Sequence, residues 1–428
     1  MAQLKKTLKK ITTTYFPAVK DVVSAQHTLK EILYDTPLQR NYMLSERYQA
    51  HIFLKREDLQ LVRSYKIRGA YNKIRSLPAS QLKKGIICAS AGNHAQGVAH
   101  ACQKLQIFGK IYMPVTTPKQ KVAGVKMFGK GYVEITLTGD IFDAAYQEAL
   151  KDHEKNGSPF IHPFDDAKII EGQATVALEI LQEAETPIDY IFIPIGGGGL
   201  AAGVGSYFQQ LSPKTRIIGV EPQGAPSMSR SLAEGKIIAL EHIDRFIDGA
   251  SVKKVGKLTF DICQKVLHEV KTIAEGKVCT TILDLYNLEA IVAEPAGALS
   301  ISVLDLYADA IRGKNIVCVL SGGNNDITRT EEIRERSLLY EGLKHYFIVR
   351  FPQRAEALKE FVNEILGPRD DIAYFQYSKK TSKEEGPAVI GIELTDKNDS
   401  SGLIERMKKH QIPFQYINEN PDLFHILI

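Results

Sequence analysis

From Thr36-Pro37-Leu38 onward, short runs of β-branched and aromatic residues alternate with longer stretches in which apolar positions recur three and four apart. This alternation of periods predicts an α/β fold, a parallel sheet covered by helices. Gly85–Ala89, Lys110–Pro114, Tyr132–Thr138, Tyr190–Ile195, Arg216–Val220 and Asn315–Leu320 read as strands. After the first of them, Ala95, Val98, Ala99 and Cys102 fall at i, i+3, i+4 and i+7, which lays one helix face on the sheet. Asp140 reads as the N-cap of a helix reaching about Lys155. Asp166 reads as the cap of a second helix, which carries Ile169, Ile170, Val176, Leu178 and Leu181.

The texture changes after Ser321-Gly322-Gly323-Asn324. Residues Thr328 to Glu341 are charged and helical in pattern and read as a connector. Beyond them the order is strand (Tyr346–Phe351), helix (Arg354–Leu366), strand (Ile372–Tyr377), strand (Ala388–Thr395), helix (Ser401–His410), strand (Phe414–Ile417). In the third of these strands Ala388, Ile390, Ile392 and Leu394 alternate with Val389, Gly391 and Glu393, and in the first helix Ala355, Leu358, Val362 and Ile365 share a face. The order βαββαβ is the ferredoxin-like arrangement. The partition is therefore 1–327, a helical connector 328–343, and a small domain 344–428. No run of the usual catalytic residue types lies in the last part, which points to binding or assembly.

Composition narrows the class. A chain of 428 residues, 44% hydrophobic and 24% charged, is ordinary for a globular protein with room for two or three domains. The formal charge of +4 arises from 54 basic and 50 acidic residues spread along the chain, so no basic stripe offers itself to nucleic acid. Five cysteines, scattered and without a CxxC pair, suggest neither a disulfide framework nor a zinc site and fit a reducing cytoplasm. No apolar run approaches the roughly 20 residues of a membrane span. Met1–Phe16 is rich in lysine and threonine, lacks the apolar core of a secretory signal, and reads as a surface helix or arm.

Candidate chemistry begins at Ser64-Tyr65-Lys66-Ile67-Arg68-Gly69-Ala70. A lysine becomes a covalent catalyst when its neutral amine is populated in a partly desolvated pocket and a carbonyl partner is within reach. A plain solvated lysine is the alternative, and two downstream loops argue against it. The strand Tyr190–Ile195 runs into Gly196-Gly197-Gly198-Gly199-Leu200, where successive backbone N–H groups and a helix N-terminus suit a phosphate. A structural turn would need only one or two of these glycines. The same stretch also satisfies GxGxxA, with Glu221 near the distance of a ribose-binding acid, but it lies deep in the chain and not in its first βαβ unit. Ser90-Ala91-Gly92-Asn93 precedes a helix, where free N–H groups could take a carboxylate and Asn93 could donate to a phenolic oxygen; Ser90 or Asn93 as a plain N-cap is the alternative. His94 reads as a structural residue. Ser321-Gly322-Gly323-Asn324 closes a further strand, and all three loops fall at the carboxyl ends of parallel strands, where open α/β sheets bind ligands.

With these motifs in this order the chain resembles the pyridoxal-phosphate enzymes of the tryptophan synthase β-subunit fold type, and among them the threonine dehydratases (threonine ammonia-lyases). His94-Ala95 after the asparagine is similar to that family, whereas Tyr65 stands where members often have phenylalanine. The resemblance implies a catalytic region of two subdomains followed by an ACT-like regulatory domain. It makes Lys66 both the Schiff-base residue for pyridoxal 5'-phosphate and the base for the α-proton. Gly196, Gly197, Gly198, Gly199 and Leu200 become the phosphate cradle, Asn93 the partner of the ring hydroxyl, and Ser321 the residue facing the pyridine nitrogen. Ser90, Ala91, Gly92 and Asn93 grip the substrate carboxylate. The implied reaction is β-elimination of L-threonine to 2-oxobutanoate and ammonia, the first committed step of isoleucine synthesis, lowered by isoleucine and opposed by valine in a cytoplasmic homotetramer. L-Serine is the alternative substrate, as in serine dehydratase or serine racemase. Of the Glu, Ala and Asp that hold a divalent cation in serine racemase relatives, Glu221 and Ala225 match but Ser227 replaces the acid, so no metal site is expected. By the same resemblance Thr36 leaves little room for a transit peptide. A non-catalytic amino-acid sensor and a nicotinamide dehydrogenase are the readings from other classes.

Overall fold

A computed structural model describes residues 15–377 and 385–420, and most of the expected N-terminal arm lies outside them. The chain divides into two compact units, Met1–Ile327 and Thr328–Ile428. Among the described residues the first unit holds nine strands: β1 (Leu38–Arg40), β2 (His51–Arg56), β3 (Ile86–Ala89), β4 (Gly109–Met113), β5 (Val133–Leu137), β6 (Tyr190–Pro194), β7 (Arg216–Pro222), β8 (Glu269–Ile273) and β9 (Asn315–Leu320). They form two sheets, one in the order β1-β2-β9-β6-β7-β8 and one in the order β3-β4-β5. Pairing is parallel throughout except between β1 and β2. The six strands expected from the pattern are present within a residue or two of their expected ends. Three others, β1, β2 and β8, carry too many polar residues to stand out by pattern alone.

Each sheet is buried by the helices that cross it. All five residues of β6 are buried, as is β9 apart from its first residue, which is why these strands read as continuous apolar runs. Ala95, Val98, Ala99 and Cys102 are fully buried in the core of the smaller sheet, as their spacing predicts. The helix Ala167–Glu183 passes from one subdomain to the other, and the Asp166 carboxylate caps it by accepting from the N–H groups of Lys168 (2.8 Å) and Ile169 (3.3 Å). A Cβ on Gly172 would lie 2.6 Å from the Arg68 carbonyl, and one on Gly203 would lie 2.6 Å from the Ile170 carbonyl, so only glycine lets the helices Lys66–Arg75 and Gly199–Leu211 approach that helix so closely. Asp140 does not cap the next helix as expected: the chain turns helical at Phe142, with Ile141 at the cap and no side-chain bond. The aspartate stands one residue too early to reach the free N–H groups of the first turn.

In the second unit the helix Thr330–Glu341 precedes β10 (Lys344–Pro352), the helix Ala357–Glu364, β11 (Asp371–Tyr377), β12 (Glu385–Glu393), the helix Asp399–Lys409 and β13 (Phe414–Tyr416). The antiparallel order β11-β12-β10-β13 is the ferredoxin-like arrangement. Ala388, Ile390, Ile392 and Leu394 all point into its core. The face expected for the first βα helix is displaced. Of the four residues expected on it only Ile365 is buried; Ala355 is exposed, Leu358 and Val362 are 43% and 41% exposed, and Ala357 and Phe361 are buried instead. The helix has two adjacent apolar stripes, and the one carrying the larger Phe361 takes the core. The helix Thr330–Glu341 buries Ile333 and Ser337, and Glu335 and Arg334 hold Lys344 and Glu393 at 2.5 Å each. All five cysteines are buried and free. Among the described residues no helix is long and apolar enough to cross a membrane.

Candidate active site

Lys66 is the first residue of the helix Lys66–Arg75, and its position is set by chain far away in sequence. Ser64 forms a β-bridge with Gly322, and the Tyr65 N–H donates to the Ser321 carbonyl at 3.2 Å. The half-buried Lys66 amine donates to the Pro163 carbonyl at 3.1 Å and lies 5.3 Å from the centre of the Tyr65 ring. Loss of water pushes its pKa down to about 8, although the Glu294 carboxyl pulls the other way. Its neutral form is thus far more populated near neutrality than that of a solvated lysine.

The residue after Pro163 faces the glycine turn. A Cβ on Gly197 would fall 2.3 Å from the Phe164 ring, and one on Gly199 would fall 3.1 Å from the Phe164 backbone. One short segment therefore meets both the amine and the turn. Gly198 has φ +93, a conformation that side chains with a Cβ rarely adopt. The Gly197 carbonyl accepts from Thr259 Oγ1 at 2.7 Å and the Gly198 carbonyl from the Ala202 N–H at 2.8 Å. Among the described residues the N–H groups of Gly197, Gly198, Gly199 and Leu200 meet no protein acceptor, although all four residues are buried. Four free donors at the start of a helix suit an anion, and a phosphate most of all.

The Ser90 loop ends β3, and neither of its polar side chains caps the helix Asn93–Leu105, whose N-cap is Gly92. Ser90 Oγ accepts from the Gly92 N–H at 3.3 Å. A Cβ on Gly97 would sit 3.1 Å from the Ile67 backbone, so the start of this helix abuts the lysine. The Asn93 amide is held at both ends. Its Nδ2 donates to Glu294 Oε1 at 2.6 Å, and its Oδ1 accepts from Asn324 Nδ2 at 2.7 Å. Ser321 is 3% exposed, with its hydroxyl 3.4 Å from the Ala296 carbonyl. The four motifs thus come together, across two sheets and not along the edge of one.

Two residues weighed in the sequence are used structurally. His94 is buried, its Nε2 lies 2.9 Å from the Ile161 carbonyl, and burial pushes its pKa down to about 3. The Glu221 carboxylate accepts from the N–H groups of Met228 (2.7 Å) and Ser229 (2.8 Å), so it caps a short helix and does not stand free for a ribose. Three positions escaped sequence reading: Pro163, Phe164 and Glu294. A glutamate before a proline at a helix start was visible in Glu294-Pro295, but nothing in the sequence connects it to Asn93, 201 residues away.

The pyridoxal-phosphate dependent enzyme family matches residues 29–322, and the C-terminal regulatory domain of threonine dehydratase matches residues 335–427. The biosynthetic L-threonine dehydratase IlvA of Halalkalibacterium halodurans is 57% identical over 410 residues, covering 96% of this chain and 99% of that protein. Among solved structures, the processed form of threonine deaminase isoform 2 from Solanum lycopersicum has a TM-score of 0.71 at 39% identity, covering 75% of this chain and 95% of its own. Maize serine racemase has a TM-score of 0.70 at 29% identity, covering 76% and 99%. On the matches to both family models and on 57% identity along nearly the whole chain, this protein belongs to the pyridoxal-phosphate dependent enzymes and, among them, to the biosynthetic threonine dehydratases.

Proposed function

We propose that this chain catalyses the β-elimination of L-threonine to 2-oxobutanoate and ammonia, with Lys66 as the residue that holds pyridoxal 5'-phosphate and then serves as base. One observation carries the reading: the segment Pro163–Phe164 meets both the Lys66 amine and the glycine turn. The residues fit the cofactor. The buried, unpaired N–H groups of Gly197 to Leu200 suit its phosphate, and a half-buried amine with a lowered pKa suits its aldehyde. When bound, the cofactor supplies an electron sink for the pair left on the substrate α-carbon.

The chain's own residues do the rest. The Asn93–Leu105 helix start, with the loop Ser90 to Asn93, takes the threonine carboxylate on its free N–H groups. That grip turns the α-carbon toward Lys66. The neutral Lys66 amine would accept the α-proton, and one proton would leave with the β-hydroxyl, so that the α-hydrogen and the hydroxyl together depart as the elements of water. The released enamine tautomerises and adds water, which gives 2-oxobutanoate and ammonia. Asn93, fixed between Glu294 and Asn324, would have its remaining N–H for the cofactor's ring hydroxyl. Ser321 would hold the ring nitrogen with a hydroxyl too weakly acidic to keep it protonated, which would temper the sink and favour elimination over transamination.

Control resides in the second unit. A cavity of about 490 Å³ there is lined by Phe351, Leu358, Val362, Phe375 and Tyr377, with Arg354 among the charged residues beside them. An apolar wall beside fixed charge suits a branched-chain amino acid, and the family resemblance makes isoleucine the inhibitor and valine its opponent. A homotetramer is the assembly that the same resemblance implies, and sedimentation velocity tests it.

Reconstituted wild type is expected to be yellow and to release 2-oxobutanoate from threonine, and Lys66→Ala to lose both the visible band and the activity. A colourless wild type, or a band that survives in Lys66→Ala, refutes the reading. Parallel assays of keto-acid release from serine and of D-serine formation separate threonine dehydration from the serine reactions.

A further inference from the structure

Glu294 lies where the loops of the site meet, and the chemistry derived above uses it only as a neighbour of Asn93, leaving its own ionisation unassigned. It is 7% exposed and stands at the start of the helix Pro295–Ser302. Its N–H donates to the Gly322 carbonyl at 3.1 Å, which ties it to the Ser321 loop. A Cβ on Gly322 would sit 2.4 Å from its Oε1, so the glycine there makes room for this carboxyl. Its Oε1 also accepts the 2.6 Å bond from Asn93 Nδ2.

An amide side chain is ambiguous by a half-turn, because its oxygen and nitrogen ends are nearly isosteric. Asn93 is not free to choose. With Asn324 Nδ2 donating to its oxygen and Glu294 accepting from its nitrogen, only one orientation satisfies both neighbours. Asn324 is itself set, since its Nδ2 also reaches the Val62 carbonyl at 2.8 Å and Gln96 Oε1 at 3.1 Å. Turning the Asn93 amide over would oppose two donors at one end and two acceptors at the other.

We propose that Glu294 is a positioning residue for the cofactor ring: it locks the Asn93 amide with an N–H directed into the site, and it places an ionisable carboxyl on the same amide that would bond the ring hydroxyl. The inference rests on the cofactor reading above and deepens it. The charged groups around Glu294 come from three directions. Asp248, on the segment packed beside the glycine turn, opposes its ionisation, whereas Lys121, bonded to Asp248, and Lys66 favour it. Tyr65, beside Lys66, feels the Glu294 charge in turn. Burial outweighs these attractions and holds the carboxyl up at about 7, so its proton is exchangeable near neutral pH. A change of charge at that place alters the energy of a phenolate held by the same amide, and a chromophore reports it directly.

The test uses the holoenzyme. The visible spectrum of wild type is titrated from about pH 5.5 to 9 and is expected to contain a step near pH 7. Glu294→Gln keeps an acceptor for Asn93 but cannot ionise, so it is expected to bind cofactor and show its visible band while losing that step. Glu294→Ala removes the acceptor, and its affinity for pyridoxal phosphate, measured by fluorescence titration of the apoprotein, is expected to fall roughly tenfold or more. In an Asn93→Ala background the same substitution is expected to have little further effect, because Glu294 acts through that amide. A spectral titration of Glu294→Gln that superimposes on wild type, or an affinity loss in Glu294→Ala that adds in full to that of Asn93→Ala, overturns the proposal. Failure of the cofactor reading would look different: a band that survives Lys66→Ala, whatever occupies position 294.

Discussion

At the scale of single residues, the site works by withholding water from a few ionisable groups. With its pKa near 8, roughly a quarter of the Lys66 amine is neutral at about pH 7.5, against about one part in a thousand for an ordinary lysine. The rate at which apoprotein captures pyridoxal phosphate should therefore rise with pH along a curve centred near 8, which stopped-flow absorbance would record; a curve centred above 10 would contradict the depressed amine. Stability carries the opposite signature for the buried carboxyls Glu221 and Glu294, both held up at about 7. The native state binds these protons more tightly than the unfolded chain does. Their contribution is thus full below the unfolded value of about 4.5 and is lost as pH rises through about 7, on the order of 3 kcal/mol for each. Buried His94, His100 and His162, held down at about 3, 4 and 4, act in the opposite sense up to about pH 6.5, so the signature lies in a difference: from about pH 5 to 8 the urea midpoint of a Glu221→Gln, Glu294→Gln double variant should rise relative to that of the wild-type apoprotein. Gly197→Ala would drive a methyl into the Phe164 ring at 2.3 Å, so the turn must shift. Cofactor affinity is expected to fall by roughly tenfold or more while the secondary structure seen by circular dichroism stays unchanged. Lys66 and the glycines were legible in the chain because their chemistry is local. Glu294 was not, because its role is defined by an amide 201 residues away.

At the scale of elements, the helix that begins with Lys66 is anchored by charge as well as by packing. Arg68, fully buried, bonds Glu57 Oε1 at 2.8 Å and Glu179 Oε1 at 2.6 Å, and buried Lys55 adds a contact to Glu179 Oε2 at 2.8 Å. The cluster ties β2 and the short 3₁₀ turn after it, the lysine helix and the helix Ala167–Glu183 together. Arg68→Met leaves two carboxylates without their shared partner, and a loss of roughly 3–5 kcal/mol is expected in urea unfolding. A change within error would mean that the cluster adds nothing. The same cluster explains why β2 was hard to read. Its last two residues, Lys55 and Arg56, are charged yet buried, so the end of the strand lacks the apolar residues that mark a buried strand. In β8 only Ile273 is buried, as befits the outer strand of the sheet, and the apolar run is correspondingly broken. The helix Ala357–Glu364 illustrates the remaining ambiguity: periodicity places an apolar stripe on a helix, but which of two adjacent stripes faces inward depends on what the sheet offers beneath it.

At the scale of the whole molecule, two compact units divide the labour, with chemistry in Met1–Ile327 and control in Thr328–Ile428. Isoleucine can lower activity only by binding one functional state of the protein better than another. Inhibition is therefore expected in the full chain and absent from a chain truncated near Glu341, assayed by 2-oxobutanoate release; equal inhibition of both would remove control from the second unit. Within that unit, Val362→Arg places a charge in the groove and should raise the isoleucine concentration for half-inhibition by about tenfold. The amino-acid sequence by itself determined the α/β class, the βαββαβ end, the capping by Asp166 and the four motifs, since each depends on residues a few positions apart, on backbone freedom or on a repeating period. Only the tertiary structure decided that the motifs meet across two sheets, that Pro163–Phe164 links amine to turn, and that Glu294 accepts from Asn93. Those relations are contacts between segments brought together by burial of two separate cores, and no local pattern encodes which distant partner a side chain will find.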